Sequence, residues 1–476
     1  MDNCISLISA SQAAIFSFSS DSKCSRISFL VINEKLREYR ALLVYLCLVE
    51  KVKEIAADEV EDVLSHLLDF SKHFKHVSIL HSNHYQDKYG QYEFIAAFGG
   101  YRLFEPKELA FEQLKSYHQE SPSWLFGHLS YDLKNQIEKL ESSHEGNFSF
   151  GDLAFFEPAY LVFQERNSQT IQCFCNFDVD AKPILDWLSQ LKDEVVLPKQ
   201  KLSAMKARLS KVDYLKAIEK LKDEIQFGNI YEVNYCQAFY REQIQLQPEA
   251  FFQQLNTHSP MPFASFYKQN QNVLMGASPE RYLRKRGDKL YSQPIKGTYR
   301  RGKNPEEDKQ LKTALRDDLK EQTENVMIVD LVRNDLSRTA AKSSVKVEEL
   351  FGVYTFPQVH QLISTVSSTL KSDVHFMEAI RCSYPMGSMT GAPKISAMKL
   401  IDQYEKTKRE LYSGSVGYID PYGNFDFNVV IRSLLYDTQK QYLSLTVGGA
   451  ITNQSDAEKE YEECLLKAKA IFEQQN

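Results

Sequence analysis

The chain has 476 residues, of which 43% are hydrophobic and 25% charged, with a formal net charge of −6. That length and balance are those of a soluble globular protein able to bury a substantial core. Acidic and basic residues are mixed along the sequence, which gives no reason to expect the concentrated cationic face of a nucleic-acid or membrane-surface binder. Of the eight cysteines, only Cys173 and Cys175 are close, and their alternation lacks the paired spacing of a zinc site. The apolar run 41–49 is too short to span a bilayer, and no secretory signal opens the chain. The expectation is a cytoplasmic protein with reduced thiols.

In chain order, residues 1–62 form a Ser-rich and then mixed N-terminal extension without a readable pattern. Residues 63–200 form a first region. In it, 77–80, 94–100, 160–163 and 170–177 read as short strands, and WLFGHLSYD (124–132) runs into a charged helical stretch. A helix and a basic, Pro-containing connection follow between Pro183 and Lys211. Residues 201–476 form the second region, opened by a helix over 211–228 whose Tyr214, Ile218, Leu221 and Ile225 keep helical spacing. Strands and helices then alternate irregularly, which predicts an α+β fold rather than a doubly wound parallel sheet.

Four segments of the second region carry chemistry. In EQTENVMIVDLVRNDLSR (321–338), Glu321 and Glu324 share a helix face, with Met327, Ile328 and Leu331 as the expected buried stripe. In EYEECLLK (460–467), Glu460, Glu463 and Lys467 align in the same way. Two such carboxylate pairs would clamp a hard cation, since Mg²⁺ favours a few carboxylates plus water and substrate oxygens. For either pair alone, a solvated helix face is the competing reading. The segment GSMTGAPK (387–394) places glycines and small polar residues ahead of a helix, where backbone N–H groups favour an anion. An ordinary helix-start loop is its alternative. SPER (278–281) and PIKGT (294–298) complete the set, and a lysine beside glycine is usually just surface.

Together with YSGSVGYI (412–419), VIR (430–432) and GGAI (448–451), these segments resemble, in content and order, the chorismate-binding enzymes. That family includes the large subunits of anthranilate synthase and aminodeoxychorismate synthase and the isochorismate and salicylate synthases. The resemblance spans roughly residues 205–470 and, more weakly, the FGHLSYDL text. It implies two packed antiparallel-rich β-sheets with helices outside and the site in a cleft.

The resemblance also implies a role for each matching residue. Glu324 and Glu463 match the Mg²⁺ ligands, with Glu321 and Glu460 supporting bound water. Tyr418 and Arg432 would meet the pyruvyl carboxylate, a fork suited to it, helped by the backbone of Gly448 and Gly449. Lys467, Thr390 and Gly391 would orient the ring carboxylate. His360 matches a histidine near the ring, with a packed core histidine as the alternative. Glu280 matches the general acid for the C4 hydroxyl, a task that requires a pKa raised by burial.

Lys296 discriminates within the family, because anthranilate synthases carry PIAGT and aminodeoxychorismate synthases carry PIKGT. The expected reaction is amination of chorismate at C4, on the route to 4-aminobenzoate and folate. Lys296 would attack C2 and expel the C4 hydroxyl, and ammonia would then attack C4 and expel the lysine from C2. Arg300 and Arg301 would lower its pKa if they pointed inward. Anthranilate synthase component I, for tryptophan synthesis, is the alternative. Glu232 departs from the pattern: amino-transferring relatives carry Gln there, and water-using relatives carry Lys. No cysteine sits in a glutaminase turn, so ammonia would come from a separate glutamine amidotransferase subunit or from free ammonium. The Leu-Leu-Glu-Ser element for tryptophan has no clear counterpart.

Overall fold

The computed structural model describes residues 49–202 and 204–472. Every pair of strands among them is antiparallel, and the strands follow two branches. The first runs in spatial order through Val49–Ala56, Thr170–Asn176, Leu153–Glu165, Tyr92–Phe104, His76–His81, Phe263–Gln269, Asn272–Ser278, Ser433–Asp437, Tyr442–Ile451 and Glu232–Arg241. The second leaves the start of Leu153–Glu165 and runs through Leu125–Leu129, Ser415–Ile419, Phe425–Asn428, Arg281–Arg286, Lys289–Gln293 and Val359–Thr369. Ile295–Arg300 and Lys346–Thr355 flank this last strand. With helices packed on this framework, the fold is α+β, as the irregular alternation predicted.

Each branch buries its own apolar cluster. The helices Val63–Ser71, Lys211–Gln226 and Pro248–His258 send Leu67, Leu68, Ile218, Leu221, Phe251 and Phe252 into the first cluster. Helices Ala110–Glu120, Leu319–Ser337 and Phe376–Ser383 send Leu114, Ile328, Val332 and Ile380 into the second. The helix over 211–226 starts where its sequence says, the Ser210 side chain accepting the Asp213 N–H.

Two chain segments cross from one branch to the other, and they cross side by side. Asn272–Ser278 lies in the first branch and Arg281–Arg286 in the second, so Pro279–Glu280 is the link; proline, lacking an N–H, cannot continue the ladder. Phe425–Asn428 and Ser433–Asp437 are joined in the same way through Val429–Arg432. The links hold each other: the Val429 N–H donates to the Glu280 carbonyl at 3.0 Å and the Ala277 N–H to the Arg432 carbonyl at 3.1 Å.

Several local expectations change. Residues 1–48 of the N-terminal extension lie outside the described residues, whereas Val49–Ala56 is a strand paired with Thr170–Asn176. Both branches draw strands from either side of residue 200. The charged stretch after residue 130 is only the short 3₁₀ turn Tyr131–Gln136. On Leu319–Ser337 the buried stripe is Asn325, Ile328, Val329, Val332 and Leu336, with Met327 and Leu331 half-buried.

Candidate active site

On Ile295–Arg300 the Lys296 side chain is buried, whereas Thr298, beyond a register shift in the strand, is exposed. Lys296 is 9% exposed and its Nζ lies 2.6 Å from Oε1 of Glu232, which is 1% exposed. Glu232 opens the neighbouring branch's last strand, so this ion pair joins the two branches. Burial alone would lower the Lys296 pKa, but the carboxylates of Glu232, Glu324 and Glu280 outweigh burial and raise it. The lysine is therefore an ammonium in this state. Arg300 and Arg301 do not contribute, because they turn away to Glu307 and to Asp308. Gly297, at φ +93°, brings the strand against the carboxylate helix: a Cβ there would stand 3.0 Å from Glu321 Oε2.

Glu280 sits on the crossover, buried, with Oε1 accepting the Ser388 hydroxyl at 2.7 Å. Burial drives its pKa up to about 7, and the Ser388 hydrogen bond and the charges of Lys296 and Arg432 only partly oppose it. A carboxyl poised there donates a proton at neutral pH. On the parallel crossover, Arg432 adopts φ +51°. Burial lowers its pKa to about 10 against the pull of Glu280, and its guanidinium has no hydrogen-bond or ion-pair partner among the described residues. An unpaired, half-buried guanidinium beside Glu280 is a receptor for an anion.

The turn Gly387–Met389 and residues Thr390–Gly391 lie against Glu232–Arg241. The Asn234 N–H donates to the Thr390 carbonyl and Gly391 pairs with Val233. The Thr390 hydroxyl is bonded within the turn, to the Met386 and Gly387 carbonyls. A buried Arg409–Glu405 pair clamps this arrangement: Arg409 donates to the Met389 and Asn234 carbonyls, and Glu405 accepts the Cys236 N–H.

Gly448 and Gly449 lie on Tyr442–Ile451, opposite Cys236 and Tyr235. A Cβ on Gly449 would be 3.3 Å from Glu460 Oε2, 3.8 Å from Lys467 Nζ and 3.9 Å from Glu463 Oε1, so the helix Ala457–Phe472 presents these groups to a bare stretch of backbone. Lys467 bonds the Gly448 carbonyl and Glu463, each at 2.8 Å. The two carboxylate helices act on one another electrically. Burial raises Glu324 to about 7 and raises Glu321 and Glu460, with neighbouring carboxylates adding to it. At Glu463 burial is outweighed by Lys467 and the pKa falls. Lys320, whose Nζ is 3.8 Å from Glu324, feels all four. The donor set is the hard, all-oxygen kind that a small divalent cation takes. Among the described residues, no three acidic, His or Cys side chains stand close enough to hold a metal as they are.

Two sequence expectations fail here. Tyr418 packs its ring with Tyr92, Trp124 and Phe126. It lines a small cavity around the Arg281–Asp87 and Arg281–Asp426 ion pairs, whose lining includes neither Glu280 nor Lys296. His360 is fully buried and bonded to Thr355 and Asp308, each at 3.0 Å, a structural histidine. The residues overlooked are their neighbours. Tyr412, in the same YSGSVGYI segment, places its hydroxyl 3.5 Å from Cys236 Sγ, on the strand opposite Gly448. Gln361 donates to Thr298 and leaves its Oε1 buried without a partner.

Residues 49–473 match the sequence profile of the chorismate-binding enzymes. The aminodeoxychorismate synthase component 1 of Escherichia coli is 34% identical over 352 residues, covering 74% of this chain and 76% of that protein. An anthranilate synthase component I-like protein of Synechocystis is 33% identical, covering 73% and 72%. In shape, the chain is similar to anthranilate synthase component I of Streptococcus pneumoniae, with a TM-score of 0.70 at 23% identity over 89% of this chain and all of that one.

Proposed function

The chain belongs to the chorismate-binding enzyme family, and from that premise we propose that it aminates chorismate at C4 to give 4-amino-4-deoxychorismate, the precursor of 4-aminobenzoate. The observation that carries this reading is Lys296: a buried amine, bonded to Glu232, in the same site as a carboxyl held near pH 7. The relatives designated aminodeoxychorismate synthase component 1 support the same choice.

Glu280 protonates the C4 hydroxyl, which cannot leave as hydroxide, and Ser388 fixes the carboxyl for that transfer. Lys296, once it has lost its proton, attacks C2. The ring double bonds shift and water departs from C4. Ammonia then attacks C4, the double bonds shift back, and the C2–N bond to Lys296 breaks. Arg432 binds the pyruvyl carboxylate, with Tyr412 rather than Tyr418 as its companion and the Gly448–Gly449 backbone beside it. Lys467 and the Thr390–Gly391 turn face the ring carboxylate. Glu324 and Glu463 would hold Mg²⁺, with Glu321 and Glu460 behind them; the ion supplies neutralisation of the ring carboxylate when bound.

Ammonia comes from outside the described residues. Their five cysteines are all held as thiols, burial raising each pKa, so none is an activated glutaminase nucleophile. The designation component 1 in the relatives supports a separate glutamine amidotransferase subunit. No helix of the described residues is long and apolar enough to cross a membrane.

The test of the lysine's role is covalent. Protein incubated with chorismate and Mg²⁺ without ammonia, then digested, should carry a chorismate-derived mass on the peptide containing Lys296. An unmodified Lys296 peptide under those ammonia-free conditions would remove the nucleophile from the mechanism.

A further inference from the structure

The Glu232 carboxylate has a second oxygen that nothing satisfies. Oε1 is taken by Lys296, but Oε2 is buried and has no hydrogen-bond partner among the described residues. A bare, buried carboxylate oxygen is unfavourable until a donor reaches it. Within the C4-amination reading, on which this inference rests, two nitrogens must be handled: Lys296 at C2 and ammonia at C4. Those ring carbons are separated by one other, as the two oxygens of a carboxylate are separated by one carbon.

We propose that Glu232 is the ammonium-binding residue of this site, holding Lys296 on Oε1 and the incoming ammonium ion on Oε2, and that it takes the proton that frees each nitrogen to attack. A cation with four N–H donors and no bulk is the species that satisfies a buried anionic acceptor. The protons balance. Glu232 first takes one from the Lys296 ammonium, and the neutral amine bonds to C2 while Glu280 gives its proton to the departing hydroxyl. The proton held by Glu232 then restores Glu280. Ammonium next gives a proton to Glu232 and bonds to C4 as NH₃, and the C2–N electron pair returns to Lys296. That amine takes the proton from Glu232, re-forming the ion pair. The sum is chorismate plus ammonium giving the aminated ring, as its own ammonium, plus water.

The experiment measures initial rates of the full chain with Mg²⁺, varying ammonium at saturating chorismate and chorismate at saturating ammonium. Wild type is compared with Glu232→Gln, and the product is identified in each. Loss of one charge-assisted hydrogen bond predicts a KM for ammonium raised about 10- to 100-fold in Glu232→Gln, with the KM for chorismate changed less than about twofold. An unchanged KM for ammonium, with product still aminated at C4, overturns the role of Glu232 and leaves the reaction standing. A C2-aminated aromatic product from wild type overturns the reaction itself. Should Glu232→Gln not fold, K⁺ serves as the probe in wild type, with ionic strength held by tetramethylammonium chloride. K⁺ matches ammonium in size and charge, so it should raise the apparent KM for ammonium and not that for chorismate; no effect of K⁺ counts against the site.

Discussion

Replacing Glu280 by Gln should remove activity and, at the same time, make the protein more stable at alkaline pH. The side chain keeps its shape and can still bond Ser388, but it no longer titrates. In the wild-type fold burial holds this carboxyl at about 7 against an ordinary 4.5. Below 4.5 it is protonated in both folded and unfolded chains and costs nothing. As pH rises from 4.5 to 7 the unfolded chain ionises first, so stability falls; above 7 the loss is complete, at about 3 kcal/mol. Glutamine is exempt from that loss. Urea denaturation followed by far-UV circular dichroism should therefore show the variant gaining on wild type by about 2–3 kcal/mol between pH 5 and pH 8. Turnover should fall by roughly 10²–10⁴, the usual worth of a general acid. A stability difference that stays flat with pH, or that moves the other way, would refute the claim that burial holds Glu280 protonated.

Other substitutions probe the rest of the site. Arg432→Lys keeps the charge but loses the planar fork, and should raise the KM for chorismate about 10- to 100-fold in steady-state assays. Tyr412→Phe should raise it about 5- to 10-fold, whereas Tyr418→Phe, in its aromatic cluster, should leave kcat/KM unchanged. Arg409→Met removes one half of a buried ion pair and two hydrogen bonds that hold the Met389 and Asn234 carbonyls. Denaturation midpoints should record a loss of about 3–5 kcal/mol, because Glu405 is left buried and unpaired.

The segments that carry the site were legible because they are long and specific. Glu280, Lys296 and Glu232 are brought together in one buried site, and Gly449, Glu460, Glu463 and Lys467 in another group facing the same carboxylate helix as Gly297. Direction was not legible. His360 and Gln361 are adjacent on one strand, and a step of one residue reverses the face; the observed bonds turn His360 to Thr355 and Asp308 and Gln361 to Thr298. Tyr412 and Tyr418 stand in one motif, yet Tyr412 closes a turn while Tyr418 belongs to a strand directed at the Trp124 cluster. Arg300 and Arg301 follow Lys296 closely enough to suggest an electrostatic role, but acidic residues at the start of the next helix, Glu307 and Asp308, capture both. The crossing of two chain segments that sets Glu280 beside Arg432 is a tertiary fact with no periodic signature.

The measurement closest to the central claim is the identity of the product. The full chain is supplied with chorismate, Mg²⁺ and excess ammonium beside Lys296→Ala, and products are separated by chromatography and weighed by mass spectrometry. Aminodeoxychorismate from the parent and a severe loss in the variant is the predicted result. Anthranilate from the parent, with Lys296→Ala still active, would contradict it and assign the chain to the C2-aminating branch of its family.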